Sequence, residues 1–474
     1  MSQFTATQRT IVAGFIMMLL CLHTVTLAVY AQQPLATSLP PAISQTPQLG
    51  IVTPVPHPDT AAVQIPSADF SPETGWSCGD FPCADDINGF LQRIRIPAGF
   101  ELAHRGRFPG QVLQMENGID GRLYATVLEN SGTRTGAVYV MDAAGNTERY
   151  SNTLVSPIGL AFQPGTDTLY VSTRLLPDGQ GGALWRIRSD GSHTLVRDDL
   201  PCCFLPVGNQ PNGMIFGRDG WLYLGIGALT DHAEGASDNQ YIQPRVDEAA
   251  ILRINPHTGE IQIFANGLHN PFDIAQDSIG NFYGTDSGLL TGAGDRMLQL
   301  QPGGFYGWPF YRNRGCVDCP TGSGIDSLPD AITFPDFTLP RGLTVYTGTQ
   351  FPGNMFDTLF VTLSNDEVQR VIWIDPTRLS DPAYVPQPFV TGLIRPIDVL
   401  TAPDGSLLVA DFIYGHIWQV TYTGNTTTPI VPVDSATQPA TPDITVPLSD
   451  ISIPTATPEQ SSAPGLFVTN TPDS

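Results

Sequence analysis

Apolar positions between residues 76 and 422 arrive in short alternating runs, and each run follows a glycine- or aspartate-rich turn. One phrase returns six times: a turn, then an apolar pair entering a strand. The copies are Gly118-Ile-Asp-Gly-Arg-Leu-Tyr124, Gly165-Thr-Asp-Thr-Leu-Tyr170, Gly217-Arg-Asp-Gly-Trp-Leu-Tyr223, Asp277-Ser-Ile-Gly-Asn-Phe-Tyr283, Gly353-Asn-Met-Phe-Asp-Thr-Leu-Phe360 and Pro403-Asp-Gly-Ser-Leu-Leu408. Most are followed by a second period-two strand, as in Gly182-Ala-Leu-Trp-Arg-Ile-Arg188, Ala250-Ile-Leu-Arg-Ile254 and Gly415-His-Ile-Trp-Gln-Val420. Self-similarity at roughly 45–75 residues with alternating strands is the mark of propeller blades. A blade cannot bury both of its faces alone, and stacking in a closed ring solves that. The pattern therefore predicts an all-β, six-bladed β-propeller. Its ligand site is expected at the central channel, where loops from every blade converge.

The flanks read differently. Arg9, the apolar run Ile11 to Tyr30 and the small residue Ala31 predict a secretory signal peptide over 1–31. The run is also long enough to serve as an uncleaved anchor. Residues 32–75 and 423–474 are dominated by Pro, Thr, Ser, Ala and Gln. Such composition buries too little apolar surface to offset chain entropy, so both are expected to be disordered tails. The domain is then 76–422, in a secreted, periplasmic or cell-surface protein with a possible N-terminal membrane tether.

The formal charge of −23 argues against a nucleic-acid partner. There is no lysine, so any cation offered to a ligand is a guanidinium, suited to carboxylate or phosphate. Beyond Cys21 in the leader, six cysteines remain: Cys78, Cys83, Cys202, Cys203, Cys316 and Cys319. An even number in an exported chain predicts disulfides. Local pairs Cys78–Cys83 and Cys316–Cys319 leave Cys202 and Cys203 to form a vicinal ring; pairing with distant partners stays open, as does a zinc site at Cys316-x-x-Cys319. The acidic stretch Asp80, Asp85, Asp86, Asn88 lacks the glutamate of an EF-hand and reads as a solvated loop.

Some phrases go beyond generic blades: Leu205-Pro-Val-Gly208, Asn212-Gly-Met-Ile-Phe-Gly-Arg-Asp-Gly-Trp-Leu-Tyr-Leu-Gly-Ile-Gly227, Ala249-Ala-Ile-Leu-Arg-Ile-Asn-Pro256, Phe264-Ala-Asn-Gly-Leu-His-Asn-Pro271 and Gly303-Gly-Phe-Tyr-Gly-Trp-Pro309. With Ile96-Pro-Ala-Gly-Phe100 before them and Gly392-Leu-Ile-Arg-Pro396 and Ala402-Pro-Asp-Gly-Ser-Leu-Leu-Val-Ala-Asp411 after, the chain resembles the glucose/sorbosone dehydrogenase family of soluble pyrroloquinoline-quinone (PQQ) sugar dehydrogenases. The resemblance implies a six-bladed propeller that oxidises a sugar or aldose and passes electrons to an external acceptor. Hydride goes to the quinone, a histidine takes the hydroxyl proton, and calcium (Ca2+) polarises the quinone.

Mapped residue by residue, the resemblance also exposes departures. The family's histidine falls at Asn209 or Gln210, and neither amide titrates. His269 stands where an arginine is expected, beside the retained Asn270; it is either a packing residue or a substitute proton acceptor. His232, in the long loop after Gly227, is a further candidate. The implied cofactor contacts are Asn270, Arg395 and Arg370. The implied calcium ligands are Asp286, Gly288 and Asp295, although Arg296 stands where the family has a second carboxylate. Two other readings stay open: a propeller that has lost its chemistry and binds a ligand or glycan at the cell surface, and a calcium-dependent lactone hydrolase, which the Gly-Trp-Pro and Asn-Pro phrases fit poorly.

Overall fold

The structure is a computed structural model, and it describes residues 81–176, 181–204, 209–234, 242–290, 294–310, 319–320, 327–365 and 369–424. The leader, the linker and all but the first two residues of the C-terminal tail lie outside the described residues. Six antiparallel sheets, each built around a four-stranded meander, make six blades. Their inner strands are Gln111–Asn117, Leu160–Phe162, Pro211–Phe216, Asn270–Gln276, Pro340–Val345 and Pro396–Thr401. Each touches the next, and the sixth touches the first, so the ring closes around one channel.

The repeated phrase is the turn between the inner and second strands of a blade. Its aspartate caps the turn and takes the hydroxyl of the tyrosine that starts the next strand. Asp120 Oδ2 lies 2.9 Å from the Tyr124 hydroxyl and Asp219 Oδ2 lies 2.8 Å from that of Tyr223. The same aspartates accept turn N–H groups from Arg122 (3.1 Å) and Trp221 (3.1 Å). The repeat is thus a local hydrogen-bonding unit, which is why it survives blade after blade.

The chain closes the ring with its first described strand. Phe100–Arg107 pairs antiparallel with His416–Tyr422 and becomes the outermost strand of the sixth blade. Before it, helix α1 (Ile87–Arg93) is capped by Asp86, which accepts from the Gly89 N–H at 2.9 Å. Phe90 of that helix is buried against Trp418 and His416. Asp85 meets Arg107 at 3.0 Å. Asp85 and Asp86 therefore serve a surface ion pair and a cap; Asp80 lies outside the described residues.

Halfway along the channel, polar side chains tie inner strands together. Gln114 donates to Asp273 Oδ1 (2.6 Å), and Asp273 Oδ2 accepts from the Leu343 N–H (2.8 Å). Asp398 accepts from the Met115 N–H (2.6 Å). Room for these struts comes from missing side chains: a Cβ on Gly213 would sit 2.4 Å from the Gln114 amide, and one on Gly342 would sit 2.5 Å from Asp398 Oδ1. Among the described residues, no helix is long and apolar enough to cross a membrane.

Candidate functional site at the channel mouth

Strand direction decides which residues share a face. Inner strands begin, second strands end and third strands begin at the same mouth of the channel. The register shows it: Asn270 faces Ser287, Asp286 faces Arg296, Pro396 faces Asp411 and Leu363 faces Arg370. Gln210, His269, Asn270, Arg395 and Arg370, together with Asp286, Gly288 and Asp295, are brought to this mouth from four consecutive blades. Arg370 opens the third strand of its blade, two strands out from the channel, about 10 Å.

The structure shows what surrounds each of several of them. His269, a candidate base on sequence grounds, has a side chain with 0% exposure. Its Nδ1 lies 3.1 Å from the Ser287 carbonyl, and its Nε2 lies 3.3 Å from Asp231 Oδ1. Both ring nitrogens thus face groups of the fold. Gln210 is likewise committed: its Nε2 donates to the Ser156 carbonyl (2.9 Å), and its Oε1 accepts from Arg174 Nε. Asn209 donates to the carbonyls of Ala228 (3.4 Å) and His269 (3.3 Å).

The side chains expected to hold calcium are used within the fold. Asp286 accepts from the N–H groups of His269 (3.0 Å) and Asn270 (2.8 Å), and from the Arg296 guanidinium. Asp295 accepts from the N–H groups of Gly288 (2.7 Å) and Leu339 (2.8 Å), and burial pushes its carboxyl up. Among the described residues no group of three or more acidic, histidine or cysteine side chains converges on a metal position. Residues 291–293 of this loop lie outside the described residues. Among the described residues, the side-chain donor set does not fit a calcium site.

The cationic side is better provided than the sequence suggested. Arg341, in the inner strand of the fifth blade, is stacked 4.7 Å over the Phe272 ring. Burial pushes its guanidinium down to about 10; Asp295 opposes this and Arg395 adds to it. Arg174, at the end of the second strand of blade two, is 1% exposed and is also pushed down to about 10, by burial and then by the charge of Arg134. Neither Arg174 nor Arg341 has a carboxylate partner among the described residues. Asp411 is occupied by the N–H groups of Ile394 (2.8 Å) and Arg395 (3.1 Å). A desolvated guanidinium with no carboxylate in ion-pair contact suits a carboxylate ligand, and on the blade-five side Arg341 therefore fits a carboxylate of PQQ. Neither arginine carries a motif, so sequence reading missed both.

One histidine near the mouth keeps an accessible ring. His232, with a side chain 24% exposed, has Nδ1 3.6 Å from both Asp231 and Glu234. Burial works to raise the Asp231 carboxyl, but hydrogen bonds from His269, the Leu290 N–H and His232 outweigh it and hold it below its ordinary value. The Gly-Trp-Pro phrase pins this loop, because Trp308 Nε1 donates to the Asp231 carbonyl (2.8 Å).

Of the six cysteines after Cys21, Cys202 and Cys203 are joined to each other, and Cys83 and Cys319 are disulfide-bonded. Cys78 and Cys316 lie outside the described residues, and with them the local pairings expected for Cys83 and Cys319.

Comparisons with known proteins agree with this architecture. A family described as a domain of unknown function, DUF7133, matches residues 207–423. A protein of Borreliella burgdorferi, described as uncharacterized, is 25% identical over 214 residues, 40% of this chain and 56% of its own length. This chain therefore spans little more than half of that relative. Among solved structures, a putative oxidoreductase (glucose dehydrogenase) from Thermus thermophilus is 18% identical, with 68% of this chain and 99% of that one covered at a TM-score of 0.52. The soluble aldose sugar dehydrogenase of Escherichia coli, in its apo form, is 15% identical over 68% and 99%, at 0.52. The PQQ-bound aldose sugar dehydrogenase of Streptomyces coelicolor is 17% identical over 69% and 99%, at 0.51. At these identities the likeness is one of fold, and in fold the chain is a glucose/sorbosone dehydrogenase-like propeller.

Proposed function

We propose that the protein is a quinone-dependent oxidoreductase of aldoses, working at the channel mouth in an exported setting. The observation that carries this reading is Arg341, desolvated on the inner strand of blade five and stacked over the Phe272 ring, with the charges of Asp295 and then Arg395 acting on it and no carboxylate in ion-pair contact among the described residues. Arg341 and Arg395 would hold carboxylates of PQQ, the Asn270 region would border its quinone edge, and Arg370 would add field from further out. When bound, the cofactor supplies the two-electron acceptor for the hydride leaving the anomeric carbon, and an external acceptor later takes those electrons. The protein's own task is to take the hydroxyl proton, which His232 does in this reading. Asp231, 3.6 Å from Nδ1, orients the His232 ring, and His269 holds Asp231 from behind. His269 is thus a positioning residue.

The alternative of a propeller that only binds its ligand is favoured by one observation, the committed amide of Gln210 where the family carries its base. Spectroscopic titration of the purified protein with PQQ, with and without calcium, followed by dye reduction with a panel of aldoses, separates the two. Binding and aldose-dependent reduction support the enzyme. PQQ binding without reduction supports the lapsed propeller, and no binding removes the dehydrogenase reading.

A further inference from the structure

We propose that the mouth carries a second anion subsite, built on Arg174 and Arg134, which receives the carboxylate of an acidic aldose such as a uronate. The proposal rests on the dehydrogenase reading for its role and on independent geometry for its existence.

Arg174 is held from one side only. Its Nε donates to Gln210 Oε1, and Gln210 is fixed in turn by the Ser156 carbonyl at 2.9 Å. Gln210 is itself 2% exposed, so the guanidinium plane is set by a buried amide clamp. Nη1 is buried and has no hydrogen-bond partner. No acidic side chain among the described residues compensates the charge; the neighbouring charge is a second guanidinium, Arg134, half-buried in the first blade. A buried cation beside another cation, with an empty donor, is costly in the free protein. It is the arrangement expected where a ligand supplies the missing anion.

Position separates this pair from the cofactor cations. Arg134, Arg174 and Gln210 belong to the first, second and third blades, while Arg341, Arg370 and Arg395 belong to the fifth and sixth. In a ring of six, blade two stands across the channel from blade five. If a cofactor is held by Arg341 and Arg395, the Arg174 side of the mouth is left to the substrate. One buried free nitrogen backed by a second guanidinium suits a planar, singly charged carboxylate better than a phosphate, whose three oxygens need more donors. Gln210, which stands where the family carries its base, thereby gains a role: it orients the group that recognises the substrate.

The test is calorimetric titration of the full chain with glucuronate and with glucose, without PQQ, on the wild type, Arg174→Gln and Arg134→Gln. Glucuronate should bind at least tenfold more tightly than glucose in the wild type. Arg174→Gln should abolish that preference, and Arg134→Gln, at a half-exposed position, should reduce it several-fold. Arg174→Gln should melt no lower than the wild type, because it removes an uncompensated charge; a purely structural arginine would give the opposite. A parallel PQQ titration assigns the carboxylate. If Arg174→Gln weakens PQQ binding and leaves glucuronate untouched, the subsite belongs to the cofactor and the proposal is overturned. Equal binding of glucose and glucuronate by the wild type overturns it too. Failure of PQQ to bind at all would remove the dehydrogenase reading, while the sugar titrations still decide the subsite.

Discussion

The Arg296 guanidinium lies 2.8 Å from Asp286 Oδ2, with both side chains almost fully buried. Arg296 also reaches the carbonyls of Tyr306 (2.6 Å) and Gly267 (3.2 Å) and the carboxylate of Asp330 (3.1 Å). Where the sugar dehydrogenases resembled here are expected to carry a second acid, this chain has placed the counter-ion inside the fold. Asp286 uses the resulting charge balance to hold the backbone of His269 and Asn270 in place.

Removing one member of that pair strands the other. Arg296→Met should destabilise the domain by about 3–5 kcal/mol, since a buried carboxylate is left unpaired. Asp286→Asn should cost less, because the amide still accepts a hydrogen bond. Urea unfolding of both variants measures this, and an Arg296→Met variant as stable as the wild type would contradict it.

The channel struts predict a pH effect. Burial pushes Glu116 from its usual 4.5 up to about 7, against a hydrogen bond from the Asn117 N–H. Burial also raises Asp273 and Asp398, and the acids repel one another. The folded state binds these protons more tightly than the unfolded chain. Their contribution is therefore complete below about pH 4 and is lost as the pH rises through about 7. The touching pair His104 and His416, 3.0 Å apart, works the other way: burial, then the charges of His104 and Arg107, push His416 down to about 3. Its contribution is present above about 6.5 and is lost as the pH falls. The informative quantity is accordingly a difference between proteins. Relative to wild type, Glu116→Gln should gain more in Tm at pH 8 than at pH 5; an equal shift at both would count against the acid cluster.

The thiol chemistry is checked by mass mapping without reduction. No free thiol is expected at Cys83, Cys202, Cys203 or Cys319. Alkylation of Cys319 in the folded, unreduced protein would refute this.

The proposed proton acceptor makes a separable claim. His232→Asn should lower kcat for aldose oxidation by about a hundred- to ten-thousand-fold, with PQQ affinity retained. His269→Gln should lower kcat less than His232→Asn does. If His232→Asn is fully active, the base lies elsewhere.

The blades were legible because their signal is local. Asp120 with Tyr124 and Asp219 with Tyr223 are written within a few residues of each other, so a repeated phrase reports a repeated turn. The mouth positions of Gln210, Asn270 and Arg395 followed from family phrases at the heads of inner strands. Their chemistry did not follow, because it depends on partners from other blades: Asp231 behind His269, Ser156 behind Gln210, Arg296 on Asp286. Arg174, Arg134 and Arg341 were invisible for the same reason. No spacing announces a residue whose meaning arises only when the ring brings blade two opposite blade five.

The pairing of Phe100–Arg107 with His416–Tyr422 has a consequence for biosynthesis. His104 meets His416 across a separation of 312 residues, so the sixth blade cannot be finished until nearly all of the domain has been made. The earliest strand to emerge has to wait with its edge unpaired while five blades form in order. Contacts this distant in sequence are slow to find each other. The formal net charge of −23 gives copies of the waiting chain a mutual repulsion that would keep them apart until the last strand arrives.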